Sequence, residues 1–332
     1  MPDLIPSDAL LATARAEAAR GEWGAVCARL EAAPAESLEI ALLLAEAYLR
    51  TGRLAAAHAV LGSSLVRGAG RANTATHRRA LNMRGAAAFE LGLLAEAEAC
   101  FREALSLATP AGDSLTLGRA TNNLGMIAHM QGAFDRALAL YQLAVPAYQR
   151  LGFTAGLAET HHNMALALRE LGQLEAADRQ ERRAIDFARQ ADSGRLLAIA
   201  QVGRAELSLR RGEPRVARAG ASLGAEQYAA IPDGVGEADA LRLVGAACTV
   251  LGETDPAAKA LAQALELART HGSPLIEAEV HEARARLHAA MEQWAEVECE
   301  VADARRLYQG LGTPAAEAAL EQWYGGVMPE RS

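Results

Sequence analysis

Residues 119–145, from Arg119 to Val145, read RATNNLGMIAHMQGAFDRALALYQLAV. Forty residues earlier, Arg79 to Leu105 reads RALNMRGAAAFELGLLAEAEACFREAL, and forty later, Glu159 to Ile185 reads ETHHNMALALRELGQLEAADRQERRAI. Two helical patterns flank Gly132. Leu124, Ile127 and Ala128 recur at helical spacing before it; Phe134, Ala137, Leu138, Tyr141 and Ala144 do so after it. Glycine between them takes a left-handed backbone without Cβ strain. The stretch therefore predicts an antiparallel helix pair with a very short turn.

The unit recurs along the chain. Gly52, Gly92, Gly132, Gly172, Gly212 and Gly252 stand 40 apart, Glu292 takes the next slot, and an earlier unit surrounds Gly21, 31 before Gly52. Seven before each turn residue stand Ala14, Ala45, Gly85, Gly125, Ala165, Ala205, Gly245 and Ala285. Five after stand Val26, Ala57, Ala97, Ala137, Ala177, Ala217, Ala257 and Val297. Twelve after, Ala33, Ala104, Ala144, Ala184, Ala264 and Ala304 recur, with Ser64 and Gly224 as departures. Small residues at these offsets let helices approach at the short end of about 8–10 Å. Trp23, Leu54, Leu94, Phe134, Leu174 and Trp294, two after the turn residue, fill the space beside them. Connectors at 67–74, 109–114, 190–195, 231–237 and 270–275 are polar and rich in Gly or Pro, and they repeat the same period. In the sixth unit Gly220, Ala221, Gly224 and Ala225 leave the second helix little packing volume, which marks either a soft point or ordinary divergence.

Bulk composition agrees with helices. Apolar residues are 51% of the 332 but aromatics only 4%, so the core is built from alanine-rich helices rather than large rings. A net charge of −8 gives no global attraction to nucleic acid or anionic lipid. Lys259 is the only lysine, so the cations are almost all arginine. Cys27, Cys100, Cys248 and Cys299 lie too far apart in sequence for a metal knuckle or redox motif and are expected to be small buried hydrophobes in a reducing compartment. MPDLIPSDALL at the start lacks a basic segment followed by an apolar core, and no apolar run reaches about 18 residues. A cytoplasmic location without membrane contact is the expectation.

Small, aromatic and glycine positions in this order resemble the tetratricopeptide repeat. Its usual period is about 34 residues; similar long repeats occur in kinesin light chains, Pins-type polarity adaptors and Rap-type bacterial regulators. The resemblance covers roughly residues 8–310 and implies an all-α fold, an α-solenoid coiled as a right-handed superhelix. About eight helix-turn-helix repeats fall near 8–36, 38–70, 78–110, 118–151, 158–191, 198–231, 238–271 and 278–310. A capping helix over 314–325 completes a single domain, 1–326, and 327–332 form a tail.

In such arrays the first helix of each pair lines the concave groove. By the resemblance, the residues thirteen, ten, nine, six, three and two before the turn face it. The candidate peptide-binding residues are then Arg79, Asn82, Arg119, Asn122, Asn123, Met126, His129, His162, Asn163 and Arg169. Asn82 and Asn122 share one slot, Asn123 and Asn163 another. Asparagine is disfavoured inside helices by roughly 0.5 kcal/mol against alanine. Two readings fit: the amides pair with a ligand backbone, as tetratricopeptide grooves do, or they bond neighbouring helices and stiffen the array. Arg79, Arg119 and Arg169 suit a peptide carboxylate, and methionines give adaptable apolar contacts.

Catalytic signatures are missing: there is no GxxxxGK[ST], GxGxxG or GxSxG. His161 and His162 point about 100° apart on a helix and do not converge on one metal. His281 and His288, at i and i+7, are too far apart for a shared ion. No enzyme activity, cofactor or metal is expected. The leading function is a protein-interaction scaffold that holds a peptide segment of a partner protein. The alternative is a ligand-gated sensor that tightens on a small peptide or metabolite and controls an effector or transcription regulator. Direct nucleic-acid binding is not expected. If the chain forms a homo-oligomer, the end units, with Trp323 and Tyr324, are the surface for it.

Overall fold

The turn residues are where the helices break. Gly21, Gly52, Gly92, Gly132, Gly172, Gly212 and Gly252 have φ between 72° and 76°, a region closed to most side chains. At Gly132 its own N–H donates to the His129 carbonyl and the Ala133 N–H to the Ala128 carbonyl, both at 2.9 Å. These paired bonds satisfy the last carbonyls of a helix stopped by a left-handed residue. Glu292 adopts the same conformation at φ 57°. Glu292→Gly is expected to stabilise the protein by about 1 kcal/mol, read as a rise in melting temperature; an unchanged or lower value would show that Glu292 carries no strain.

The computed structural model describes residues 7–32, 37–67 and 74–328. Ala33, most of the 67–74 connector, the first residues of MPDLIPSDALL and positions 329–332 of the tail lie outside the described residues. Among the described residues there are seventeen α-helices and no strand. They are α1 (Ser7–Ala19) with α2 (Trp23–Glu31), α3 (Leu38–Arg50) with α4 (Leu54–Arg67), α5 (Ala75–Glu90) with α6 (Leu94–Ala111), and α7 (Ser114–Met130) with α8 (Phe134–Leu151). Next come α9 (Thr154–Glu170) with α10 (Leu174–Gln190), α11 (Gly194–Arg210) with α12 (Pro214–Ala230), α13 (Gly234–Val250) with α14 (Thr254–Thr270), and α15 (Pro274–Ala290) with α16 (Trp294–Leu311). The last helix, α17 (Pro314–Val327), stands alone. The chain divides into two compact units, residues 1–156 and 157–332. Each unit is an all-α array of helix pairs.

A second turn lies halfway between the first ones. Gly112, Gly152, Gly272 and Gly312 have φ of 61° to 65° and Asp192 has φ 49°. Past Gly92 the helices from α6 to α16 are 17 or 18 residues long. Several first helices are capped by a side chain that accepts from the N–H three residues on: Ser37 from Ile40, Thr74 from His77, Asp113 from Thr116, Ser193 from Leu196 and Asp233 from Gly236. Such a cap satisfies one of the four free N–H groups of a helix start.

In the first unit Leu30, Ile40 and Leu61 centre one core cluster, and Phe101, Leu124 and Ile127 another. Small residues meet large ones nine after the turn. A Cβ on Gly85 would lie 2.7 Å from the Phe101 ring, one on Gly125 2.4 Å from Tyr141, and in the second unit one on Gly245 2.5 Å from Leu261. The small residues of α12 act in two ways: Gly224 brings it onto α11, where a Cβ would come within 2.5 Å of Val202, while Gly220 borders a cavity. At the C-terminal end Leu320 of α17 is fully buried, and Trp323 and Tyr324 pack half-buried against the same cluster. Cys27, Cys100 and Cys248 are buried, but Cys299 is exposed, against expectation, because it sits on the outer side of α16 beside exposed Glu298.

Candidate functional site

In the first unit the candidate residues lie on α5 and α7. Arg79 is exposed and pairs with Glu46 of α3 at 3.0 Å. Between them is a hollow of about 280 Å³, walled also by Arg15, Glu39, Leu42 and Leu43. Asn82 is half-buried, and its Oδ1 is buried without a hydrogen-bond partner. Asn122, in the equivalent slot, is 5% exposed and its amide nitrogen lies 4.0 Å from Met126 Sδ. Asn123 and Met126 are half-buried on the same helix. Arg119 stacks over the Phe153 ring at 5.9 Å. His129 sets its ring edge-on to Phe134 at 5.1 Å. These candidates on α5 and α7 comprise two guanidiniums and three amides among their polar groups.

The second unit is different. His162 does not stand free toward a groove: its Nδ1 donates to Glu181 of α10 at 2.9 Å. Burial alone would lower the His162 pKa; the Glu181 carboxylate outweighs that and holds it above its ordinary value. Burial pushes the Glu181 carboxyl up, with His162 opposing. His161 is buried, bonds Gln180 at 2.8 Å and stacks on Phe187 at 5.4 Å, and burial lowers its pKa. The two adjacent histidines thus have separate partners. Asn163 is half-buried. Arg169 bridges Glu206 at 2.5 Å and Glu170 at 3.0 Å.

This ion-pair face continues along the second unit. Arg242 reaches Asp239 at 2.6 Å and Glu279 at 3.3 Å. Burial works against the charge of Arg242, but those two carboxylates hold its pKa above the usual range. The Glu279 carboxyl is pushed up by burial, with Arg242 opposing. Glu282 accepts from the Tyr308 hydroxyl at 3.1 Å and from Arg286 at 2.6 Å, and Arg286 lies 4.7 Å over the Trp323 ring. Asp239, Glu279 and Glu282 stand thirteen or ten before their turn residues, so the same offsets applied to the last repeats would have found them. Glu181 carried a different signal, an acid in the slot that holds Phe101, Tyr141 and Leu261 elsewhere. His281 and His288, set apart in sequence, both approach buried Glu300, at 2.5 and 3.9 Å, with Arg284 at 2.9 Å.

Among the described residues no group of three or more His, Cys, Asp and Glu side chains is placed to hold a metal ion. None of their helices is long and apolar enough to cross a membrane.

Helix pairs repeated in series, with polar faces on the first helix of each, define an α-helical repeat protein of the solenoid class. Residues 76–150 and 118–190 match the tetratricopeptide repeat family model. Residues 76–190 therefore carry tetratricopeptide repeats. Among curated proteins no sequence matches significantly. Its fold is similar to a Rap protein solved in complex with competence and sporulation factor: TM-score 0.65, 12% identity, 96% of this chain and 94% of that one. It is also similar to the Rap conjugation gene regulator of plasmid pLS20 solved in complex with a peptide: TM-score 0.61, 15% identity, 89% of this chain and 77% of the other. A third likeness is a signal transduction ATPase with numerous domains and a tetratricopeptide repeat sensor, from Pyrococcus horikoshii: TM-score 0.68, 12% identity, 91% of this chain and 46% of that one. At these identities the likeness is one of fold.

Proposed function

We propose that this protein is a non-enzymatic adaptor that holds an extended peptide segment of a partner protein along the first helices of its N-terminal unit. The observation that carries this reading is the Asn82 carboxamide oxygen, buried on that face without a hydrogen-bond partner. A buried acceptor left unpaired costs about 1–3 kcal/mol, and a peptide N–H supplies the missing donor whatever its side chain. Arg79 and Arg119 flank it with positive charge for a carboxylate of the segment. The C-terminal unit's face carries more internal ion pairs, with Arg169, Arg242 and Arg286 on its own carboxylates against Arg79 with Glu46 in the first unit. Two fold relatives were solved with a bound factor or peptide, which agrees with the reading.

The test begins with affinity capture and mass spectrometry of partners. Peptides tiled across the captured protein are then titrated into the wild type and into an Asn82→Ala/Asn123→Ala variant. Loss of two amide hydrogen bonds is expected to weaken the binding peptide about tenfold or more. Equal affinity of variant and wild type would exclude this face as the binding site.

A further inference from the structure

The cavity on the other side of α11 stands apart from the inner face. It encloses about 370 Å³ between α10, α11 and α12, all in the second unit, which is within the size range of small-molecule sites. Its α11 residues, Gln201, Arg204 and Ser208, stand eleven, eight and four before the turn at Gly212. None of these offsets belongs to the groove-facing set.

The repeat itself explains why the cavity is there. Eleven before and eight after the turn, the fifth and eighth repeats each place two polar side chains that bond one another, whereas the seventh has Leu241 and Ala260 there. In the fifth repeat these are His161 and Gln180, 2.8 Å apart, and in the eighth His281 and Glu300, 2.5 Å apart. The sixth repeat has Gln201 in the first slot and Gly220 in the second. Gln201 therefore has no side chain opposite it in the second slot. It is only 9% exposed, and its Oε1 is buried without a hydrogen-bond partner. Both Gln201 and Gly220 line the cavity.

The remaining walls are of two kinds. Ile185, Val216 and Leu223 are apolar, the last two 50% and 45% exposed at the mouth. Arg182, Arg189 and Arg204 bring positive charge. Arg182 and Arg204 each donate to Asp178 at 2.9 Å, and Arg189 lies 3.9 Å from Asp186. Three guanidinium groups and one carboxylate, Asp186, line the cavity, Arg211 also lies 3.7 Å from Asp178, and each lining guanidinium retains unused N–H donors.

We propose that this cavity binds a small organic acid with an apolar body and one N–H or O–H donor. The carboxylate meets Arg204 and Arg182, the donor meets Gln201 Oε1, and the body covers Val216 and Leu223. The ligand thus supplies the hydrogen-bond donor that glycine at 220 does not.

Ligand-observed NMR titration of the full chain with N-acetylleucine and indole-3-acetate tests this, with N-acetylleucinamide as the uncharged control. Saturable binding of at least one acid is expected, about tenfold weaker for the amide and about tenfold weaker in Arg204→Gln. Gln201→Leu is expected to weaken the acid similarly while raising the melting temperature, since it removes an unpaired buried oxygen. Asn82→Ala/Asn123→Ala is expected to leave the acid's affinity unchanged, which separates this cavity from the groove. No saturable response to either acid up to about 10 mM, equal binding of the amide, or unaltered affinity in Gln201→Leu overturns the proposal.

Discussion

Replacing His162 with leucine is expected to cost about 3–5 kcal/mol of folding stability, read from urea denaturation at neutral pH. The reason is Glu181. Its side chain is 1% exposed and its two oxygens lie 2.9 and 3.2 Å from His162 Nδ1. Gly203 of α11 closes over it so tightly that a Cβ there would come 2.4 Å from Glu181 Oε1. The carboxylate cannot swing to water, so removing the imidazole leaves a charge buried without its counter-charge. Glu181→Leu added to His162→Leu should return most of the loss, because this slot holds Tyr141 and Leu261 in other repeats and an apolar pair replaces an ionic one. The wild type should also differ from the double variant in pH dependence. Both His162 and Glu181 have raised pKa values in the fold. A group with a raised folded pKa favours the folded state fully below its unfolded value, and that contribution is lost as pH rises through the folded value. The wild type should therefore lose stability relative to the double variant on going from about pH 5 to about pH 9. A flat difference over that range, or a single variant no worse than the double, would remove the pair from the account of stability.

That pair also shows where sequence reading stops. The turns at 40-residue spacing were legible because a left-handed backbone restricts the residue so strongly that glycine recurs. The intervening turns were less so, because Asp192 occupies one of them and connector polarity alone does not define φ. Which residues sit on the first helices followed from the offsets, and Asn82 and Asn122 do share a slot. The direction of each side chain did not follow. His162 stands at a groove-facing offset yet turns to α10, since a buried acid one helix away attracts it more strongly than solvent does. Asn82 and Asn122 diverge likewise: one has a buried oxygen without a partner, the other sits against Met126. Long-range charge pairing depends on residues from helices forty positions apart, as with Arg242 and Glu279, and no local pattern encodes it.

Gly125→Ala is expected to destabilise the protein by about 1–3 kcal/mol, although alanine is the better helix former by about 1 kcal/mol. The added methyl would lie 2.4 Å from the Tyr141 ring, and that ring is 1% exposed between Ala137 and Ala144, both fully buried. It has no space into which to withdraw, so α7 and α8 must separate or the ring must leave its rotamer. Other repeats show the remedy. Around Gly52 the same two slots hold Ala45 and Leu61, both buried, whereas around Gly92 they hold Gly85 and Phe101, with a Cβ on Gly85 at 2.7 Å from the ring. In this unit the residue seven before the turn is small in proportion to the bulk nine after it. Tyr141→Leu alone should also destabilise, by opening a void beside Gly125. Combined with Gly125→Ala it should recreate the Ala45 and Leu61 pairing, and the double variant should be more stable than the sum of the two losses by at least about 1 kcal/mol. Strict additivity in thermal or urea unfolding would mean that the two positions do not set one another. A stabilising Gly125→Ala would mean that the Tyr141 ring has room to move, and the close approach of α7 and α8 would then need a different cause.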